Sequence, residues 1–301
     1  MKIISNIKKA LGEMRYEVGF LDIKDIHLPT KERFKRIKWI NLGDYKDGWF
    51  ADPFILSIND KHIELLAEEW VYKDNKGRIS KLVIDKTTYK LLSVICILEL
   101  NTHLSFPLIY EEKGITYVCP ENYLSGCVNI YTYDMINEKL ANPQTIIKEP
   151  LIDTQICKIN DKYYAFGVER RTGNMSDTRY LKVFQSDSLC GEYKHIQTIE
   201  NNMNVERGAG SIFEWNGKLI RPAQNCEGGY GLSTIIYELS CNNGIHEKEI
   251  GRIEPDNSSY MGLCLHTLNI KNNLCVIDGQ EYNHYRLSRF LKAISNYFKR
   301  G

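Results

Sequence analysis

ADPFILSINDKHIELLAEEW, residues 51–70, is an apolar run, a polar turn and a second apolar run that closes on acidic residues. An Asn-Asp centre between two such runs is hairpin chemistry, because both residues tolerate positive φ. The same unit recurs as SFPLIYEEKGITYVCPEN at 105–122, DTQICKINDKYYAFGVER at 153–170, GAGSIFEWNGKLIRPAQN at 208–225 and GLCLHTLNIKNNLCVIDG at 262–279. The later turns are Lys-Gly, Asn-Asp, Asn-Gly and Asn-Asn. Units start about every fifty residues, the size of a four-stranded propeller blade.

Further strand-like stretches follow the first four hairpins, among them RISKLVIDK, LLSVICILEL, VNIYTYDM, YLKVFQSDS and LSTIIYELS. The fifth is followed instead by HYRLSRFLKAISNYFKR, whose periodicity is helical. Strand-like YEVGFLDI and RIKWINL, within residues 16–42, are therefore expected to complete the last blade. The expectation is an all-β, five-bladed β-propeller forming a single domain over 1–301. Its blades start near 51, 105, 153, 208 and 262, and short helical segments stand at both ends. An open β-sandwich is the other architecture that such hairpins could build.

In a propeller the start of each first strand and the end of each second strand share one rim. That brings Asp52, Glu68, Glu69, Glu121, Asp153, Glu169, Gln224 and Asp278 around one mouth, flanked by Arg170, Arg207, Arg221, His103 and His266. Convergent acids raise one another's pKa values, as acid–base chemistry requires. Glu68 and Glu69 are adjacent in a strand and face opposite ways, and the repeat register favours Glu68. Glu169 reads either as a catalytic acid or as a surface partner of Arg170 or Arg171. Asp153 either orients that acid or accepts backbone hydrogen bonds. Arg207 and Arg221 suit a phosphate or a structural salt bridge. Trp49, Trp70, Tyr123 and Tyr230 serve sugar stacking or core packing.

Lys and Arg number 39 against 38 Asp and Glu, a net charge of +1, which gives no electrostatic case for a nucleic-acid partner. Nine cysteines, an odd number without CxxC spacing, read as buried free thiols of a reducing compartment. The N-terminal sequence has no signal-peptide pattern, so a cytoplasmic location is expected. The amphipathic, basic ends read as solvated caps or as peripheral contacts with an anionic membrane. His103 and His266 lack close-spaced partners, so neither a metal nor another cofactor is expected.

The segments WFADPF, HLSFP, RGAGSIF, RPAQNC followed by YG, and LHTLN with VIDG resemble two related groups. One is the clan of five-bladed-propeller carbohydrate enzymes that includes arabinanases, β-xylosidases, invertases and levansucrases. The closer is the propeller-like region ahead of the transferase domain in plant glucosamine inositolphosphorylceramide transferases, with its stand-alone bacterial relatives. The resemblance runs from about residue 49 to 279. It implies a catalytic aspartate at Asp52 and further rim carboxylates, for which Asp153 and Glu169 match in kind. RDP and Glu-Cys segments of the invertase type are missing, and the activity of the plant transferase domain does not carry over.

Three functions remain open. A glycosyltransferase for a surface polysaccharide, such as O-antigen or capsule, would take a sugar donor and a glycan or lipid-linked acceptor. Asp52 would then be the base, with Arg207 and Arg221 on the donor phosphate. A glycoside hydrolase on furanosides or xylo-oligosaccharides would pair Asp52 with Glu169 as acid. A non-catalytic propeller would only bind glycan. The remaining candidate substrate contacts are Glu68, His103, Glu121, Arg170, Gln224, Tyr230, His266 and Asp278.

Overall fold

Polar two-residue turns set the repeating unit. Lys113 and Gly114, Asn160 and Asp161, and Asn216 and Gly217 all take positive φ, between 47° and 78°. That conformation matches the twist of the strands a hairpin joins. The structure, a computed structural model, describes residues 13–22, 32–33, 36–171, 177–256, 260–284, 286–288 and 290–291. Three strands precede the first hairpin: β1 (Met14–Asp22), β2 (Glu32–Arg33) and β3 (Lys38–Trp39). Blade I is β4 (Gly48–Ile58), β5 (His62–Val71), β6 (Lys76–Asp85) and β7 (Leu91–Leu98). Blade II is β8 (Ser105–Glu112), β9 (Ile115–Glu121), β10 (Val128–Asp134) and β11 (Lys139–Ile147). Blade III is β12 (Ile152–Ile159), β13 (Lys162–Glu169), β14 (Tyr180–Ser186) and β15 (Lys194–Glu200). In blade IV, β16 (Arg207–Gly208) and β17 (Phe213–Trp215) both pair with β18 (Lys218–Asn225), followed by β19 (Ser233–Ser240) and β20 (His246–Glu254).

Blade V joins β21 (Leu268–Lys271) and β22 (Leu274–Tyr282) to β1 and β3, in the order β21-β22-β1-β3. The β1–β22 ladder runs unbroken from Met14 opposite Tyr282 to Asp22 opposite Leu274, so the two ends of the chain lock into one sheet. β2 instead lies parallel to β20 at the outer edge of blade IV. The fold is thus nearly all-β and five-bladed. Most of the terminal segments read as helical caps or membrane contacts lies outside the described residues; within them, 286–288 and 290–291 are helical, whereas Met14 and Arg15, at the end of the N-terminal segment, belong to strand β1. Among the described residues no helix is long and apolar enough to cross a membrane.

The core lies mainly between blades. Phe50, Ile55 and Leu82 of blade I pack on Val18, Phe20 and Val276 of blade V. Ile220, Ile236 and Ile253 of blade IV meet Leu21 and Ile277 on blade V's other face. Blade III meets blade IV through Phe166, Leu181, Leu239 and Ile245, and Phe54, Phe106, Ile156 and Tyr163 run across blades I to III. The nine cysteines are free, five of them buried.

Blades IV and V approach closely at Gly210, whose φ is +129° and where an added Cβ would lie 2.1 Å from the Leu268 carbonyl oxygen. Leu268 N–H donates to Ala209 O across that seam at 2.7 Å. Gly210→Ala is expected to cost about 3 kcal/mol in urea unfolding, through backbone strain and loss of this seam.

Candidate active site

The first strands of blades I, II and III are each interrupted by a bulge near the start, at Ala51–Phe54, Ser105–Leu108 and Ile152–Gln155. Inside each bulge one residue takes positive φ: Asp52 at 48°, Phe106 at 44° and Asp153 at 45°. A bulge re-aims the side chain it carries. Asp52, 3% exposed, and Asp153, 1% exposed, each turn toward neighbouring blades.

Asp52 joins three blades. Its Oδ2 accepts from Phe106 N at 3.1 Å and its Oδ1 from the Thr267 hydroxyl at 2.9 Å. Its own N–H donates to Asp278 Oδ2 at 2.9 Å. Asp278 Oδ1 also receives His266 Nδ1 at 2.8 Å and Thr267 N at 3.0 Å, leaving His266 Nε2 3.4 Å from Asp52 Oδ1. Burial pushes the Asp52 carboxyl up to about 6, against the pull of His266, with Asp153 and Asp278 adding to the rise. Burial works against the His266 cation, but Asp278, Tyr230 and Cys264 acting together hold the imidazolium well above its usual range.

Glu68 lies opposite Ala51 in the next strand and is 6% exposed. Burial, with the Asp52 charge adding, drives its carboxyl well above the usual range, which favours the protonated form beside Asp52. His103 accepts the Gly77 N–H on Nδ1 at 2.9 Å. Burial holds its pKa down, so the neutral ring turns Nε2–H toward Glu68 Oε1, 3.6 Å away. Glu69, on the opposite face, is bound by Tyr45, Arg78 and Ser80.

The second half of the site sets two arginines among two further acids. Asp153 binds the Arg207 guanidinium and accepts from Gln224 Nε2 at 3.0 Å. Burial raises its pKa against the pull of Arg207. The Arg207 guanidinium lies 4.9 Å from the centre of the Tyr230 ring, and that tyrosine, 45% exposed, also contacts His266. Arg170 lies 4.6 Å over Tyr123, its Nε buried without a hydrogen-bond partner among the described residues. Burial lowers its pKa, with Arg207 adding, while Glu121 and Asp153 oppose, so it belongs to the same electrostatic cluster. Glu121 accepts from the Ser105 hydroxyl at 2.8 Å and Tyr123 N at 2.9 Å.

Two predicted residues stand elsewhere. Glu169 pairs with Arg171 at 2.9 Å near the surface. Sequence spacing set it equivalent to Glu68, sixteen residues after the bulge aspartate in each case. Blade I, however, carries a second bulge at Ile55–Ser57 and a longer turn, where Asn59 Oδ1 caps Lys61 N and His62 N. The partner of Ile152 is consequently Val168. Glu169 lies one residue further on, and a one-residue slip reverses the face. Arg221 is likewise no phosphate ligand. It is fully buried against Glu206, Glu247 and Gln155, because three residues along a strand from Gln224 it points the opposite way.

Thr267, Phe106 N and Tyr16 complete the surroundings; Phe106 and Thr267 lie in the HLSFP and LHTLN segments, but nothing in the repeat spacing singled them out. Asp52, His266 and Asp278 each offer a ligand atom within 4.8 Å of one another. Asp278 and His266 Nδ1 are committed to one another and to backbone donors, so the trio is a hydrogen-bonded ion-pair hub that a cation would have to dismantle.

The family described as glucosamine inositolphosphorylceramide transferase 1, N-terminal, matches residues 40–272. The protein of that name from Oryza sativa subsp. japonica is 23% identical over 254 residues, 79% of this chain and 34% of its own length. The Arabidopsis thaliana protein is 29% identical over 198 residues, 64% and 26% of the two lengths. The chain therefore spans about a third or less of these relatives. Among solved structures, an α-L-arabinanase from Cellvibrio cellulosa aligns with TM-score 0.53 and 14% identity, over 73% of this chain and 88% of the enzyme. An exo-β-1,3-galactanase from Phanerochaete chrysosporium aligns with TM-score 0.54 and 11% identity, over 71% and 54%. The two likenesses show a common fold.

Proposed function

The chain belongs to the glucosamine inositolphosphorylceramide transferase 1 N-terminal family, and from that premise we propose that it is a carbohydrate-active enzyme transferring a glycosyl group from a phosphate-activated donor to a glycan hydroxyl. The observation that carries this proposal is that Arg170 and Arg207 share one electrostatic cluster with the rim carboxylates Asp52, Glu68 and Asp153. Asp52, ionised above about pH 6, takes the proton from the acceptor hydroxyl as that oxygen attacks the anomeric carbon. The bond to the leaving phosphate breaks, its electron pair stays on the phosphate, and Arg170 and Arg207 receive the charge. Neutral Glu68 donates a hydrogen bond to the sugar. The basic sequence at both chain ends suits a lipid-linked acceptor at a cytoplasmic membrane surface.

One observation favours a second reading. A neutral Glu68 beside an ionisable Asp52 is also the acid and base of a glycoside hydrolase, with Glu68 in the part first given to Glu169. Turnover of nucleotide- and phosphate-activated sugars with a glycan-bearing lipid acceptor, run beside aryl furanosides and xylosides, separates the two. The expected result is phosphate release that requires acceptor and rises with pH through an apparent pKa of about 6. Aryl glycoside cleavage without acceptor, falling again at high pH as Glu68 ionises, would establish the hydrolase instead.

A further inference from the structure

The rim that bears Asp52 also bears a cleft of about 540 Å³ at the seam between blades V and I. Trp49, Trp70 and Tyr72 form its apolar wall, and Glu13, Asn75 and Asn283 its polar edge. Trp49 lies directly opposite Trp70 in the ladder, the rings 5.4 Å apart and 3° from parallel. Gly48 permits that approach: a Cβ there would lie 1.8 Å from the Trp70 carbonyl oxygen. Both tryptophans are half-buried and Tyr72 is 44% exposed, so the chain holds a rigid aromatic platform open at the surface.

The platform adjoins the carboxylates by two routes. Trp70 lies 5.7 Å from His103, which faces Glu68. Trp49 packs on Tyr16, which packs on His266, each step 5.0 Å. We infer that this cleft is a glycan subsite, holding a sugar ring of the acceptor at least one residue beyond the reacting one. A sugar ring offers an apolar face for the indoles and hydroxyls for the carboxylate and two amides. An acyl chain would strip water from that polar edge and return nothing to it. The acceptor role rests on the proposed transfer; the binding of glycan does not.

The test titrates the full chain with tri- and tetrasaccharides of β-linked glucose, xylose, galactose and N-acetylglucosamine, read by tryptophan fluorescence and saturation-transfer NMR. At least one series is expected to bind wild type and Asp52→Asn alike. Trp70→Ala and Tyr72→Ala should each weaken it about tenfold, the equivalent of about 1.4 kcal/mol. Trp70→Phe, which keeps a ring against Trp49, should recover most of the loss and guards against a folding defect. Sugar binding indifferent to Trp70 and Tyr72, absence of binding by every oligosaccharide, or a fluorescence response to dodecylphosphocholine alone would overturn the inference. Glycan binding that persists in a chain without transfer activity would count against the proposed reaction and leave the subsite standing.

Discussion

Asp52→Asn is expected to lower kcat by about 10²–10⁴-fold, the range of a lost general base, with the fold intact. Asparagine suits the site because it tolerates the positive φ of 48° found there. Its amide oxygen can accept from Phe106 N, and its NH2 can donate to Thr267, whose hydroxyl either gives or takes a hydrogen bond. Those two contacts are therefore kept, and what is lost is the ionisable group with its charge opposite His266 Nε2.

Stability should move in the opposite sense to activity. The folded pKa of Asp52 is raised from 3.8 to about 6, so the folded chain binds more protons than the unfolded one between those values. Wild-type stability from this group is therefore present below about pH 4 and declines as pH rises through about 6. The amide introduced by Asp52→Asn does not titrate and has no such decline. The variant should match or exceed the wild-type Tm at pH 7–8, as expected of an active site that holds a costly charge. Thermal unfolding across pH 4–8, beside turnover, checks both halves. Retained turnover would reduce Asp52 to an inter-blade hydrogen-bond hub.

The blades were legible because a hairpin's turn chemistry and apolar runs are local, and repetition amplifies a weak local signal. What the spacing could not carry was register. A second bulge and a longer turn in blade I nearly cancel in length, so Asp52–Glu68 and Asp153–Glu169 share an interval while Glu68 and Val168 share the position. Arg221 could have been separated from Gln224 by strand alternation alone. Thr267 and Phe106 N were hidden for a different reason: they reach Asp52 across blade seams, from 215 and 54 residues away, and a polar contact at that range leaves no periodic trace.

Arg221→Met should be the most destabilising of the substitutions considered, costing about 3–5 kcal/mol, because removing one member of a buried ionic group strands the rest. The Arg221 guanidinium, fully buried, binds both Glu206 and Glu247, and also Gln155 of blade III, which itself holds Gly210 O and Pro222 O. Burial raises Glu206 to about 8 against the pull of Arg221, with Glu247 adding. Near neutral pH Glu206 is thus a carboxylic acid beside the Arg221 cation. Since the folded pKa of Glu206 lies above its unfolded value, its contribution is fully present below about pH 4.5 and declines as pH rises through about 8. Losing the cation should steepen that decline, so denaturant midpoints of Arg221→Met should fall furthest behind wild type at pH 8 and recover toward pH 5. Adding Glu206→Leu and Glu247→Leu should restore much of the loss, since an apolar set removes the stranded charge. Donor KM should stay near wild type wherever the variant is folded. A stable Arg221→Met with a raised donor KM would return this arginine to the donor phosphate and contradict its burial between the two glutamates.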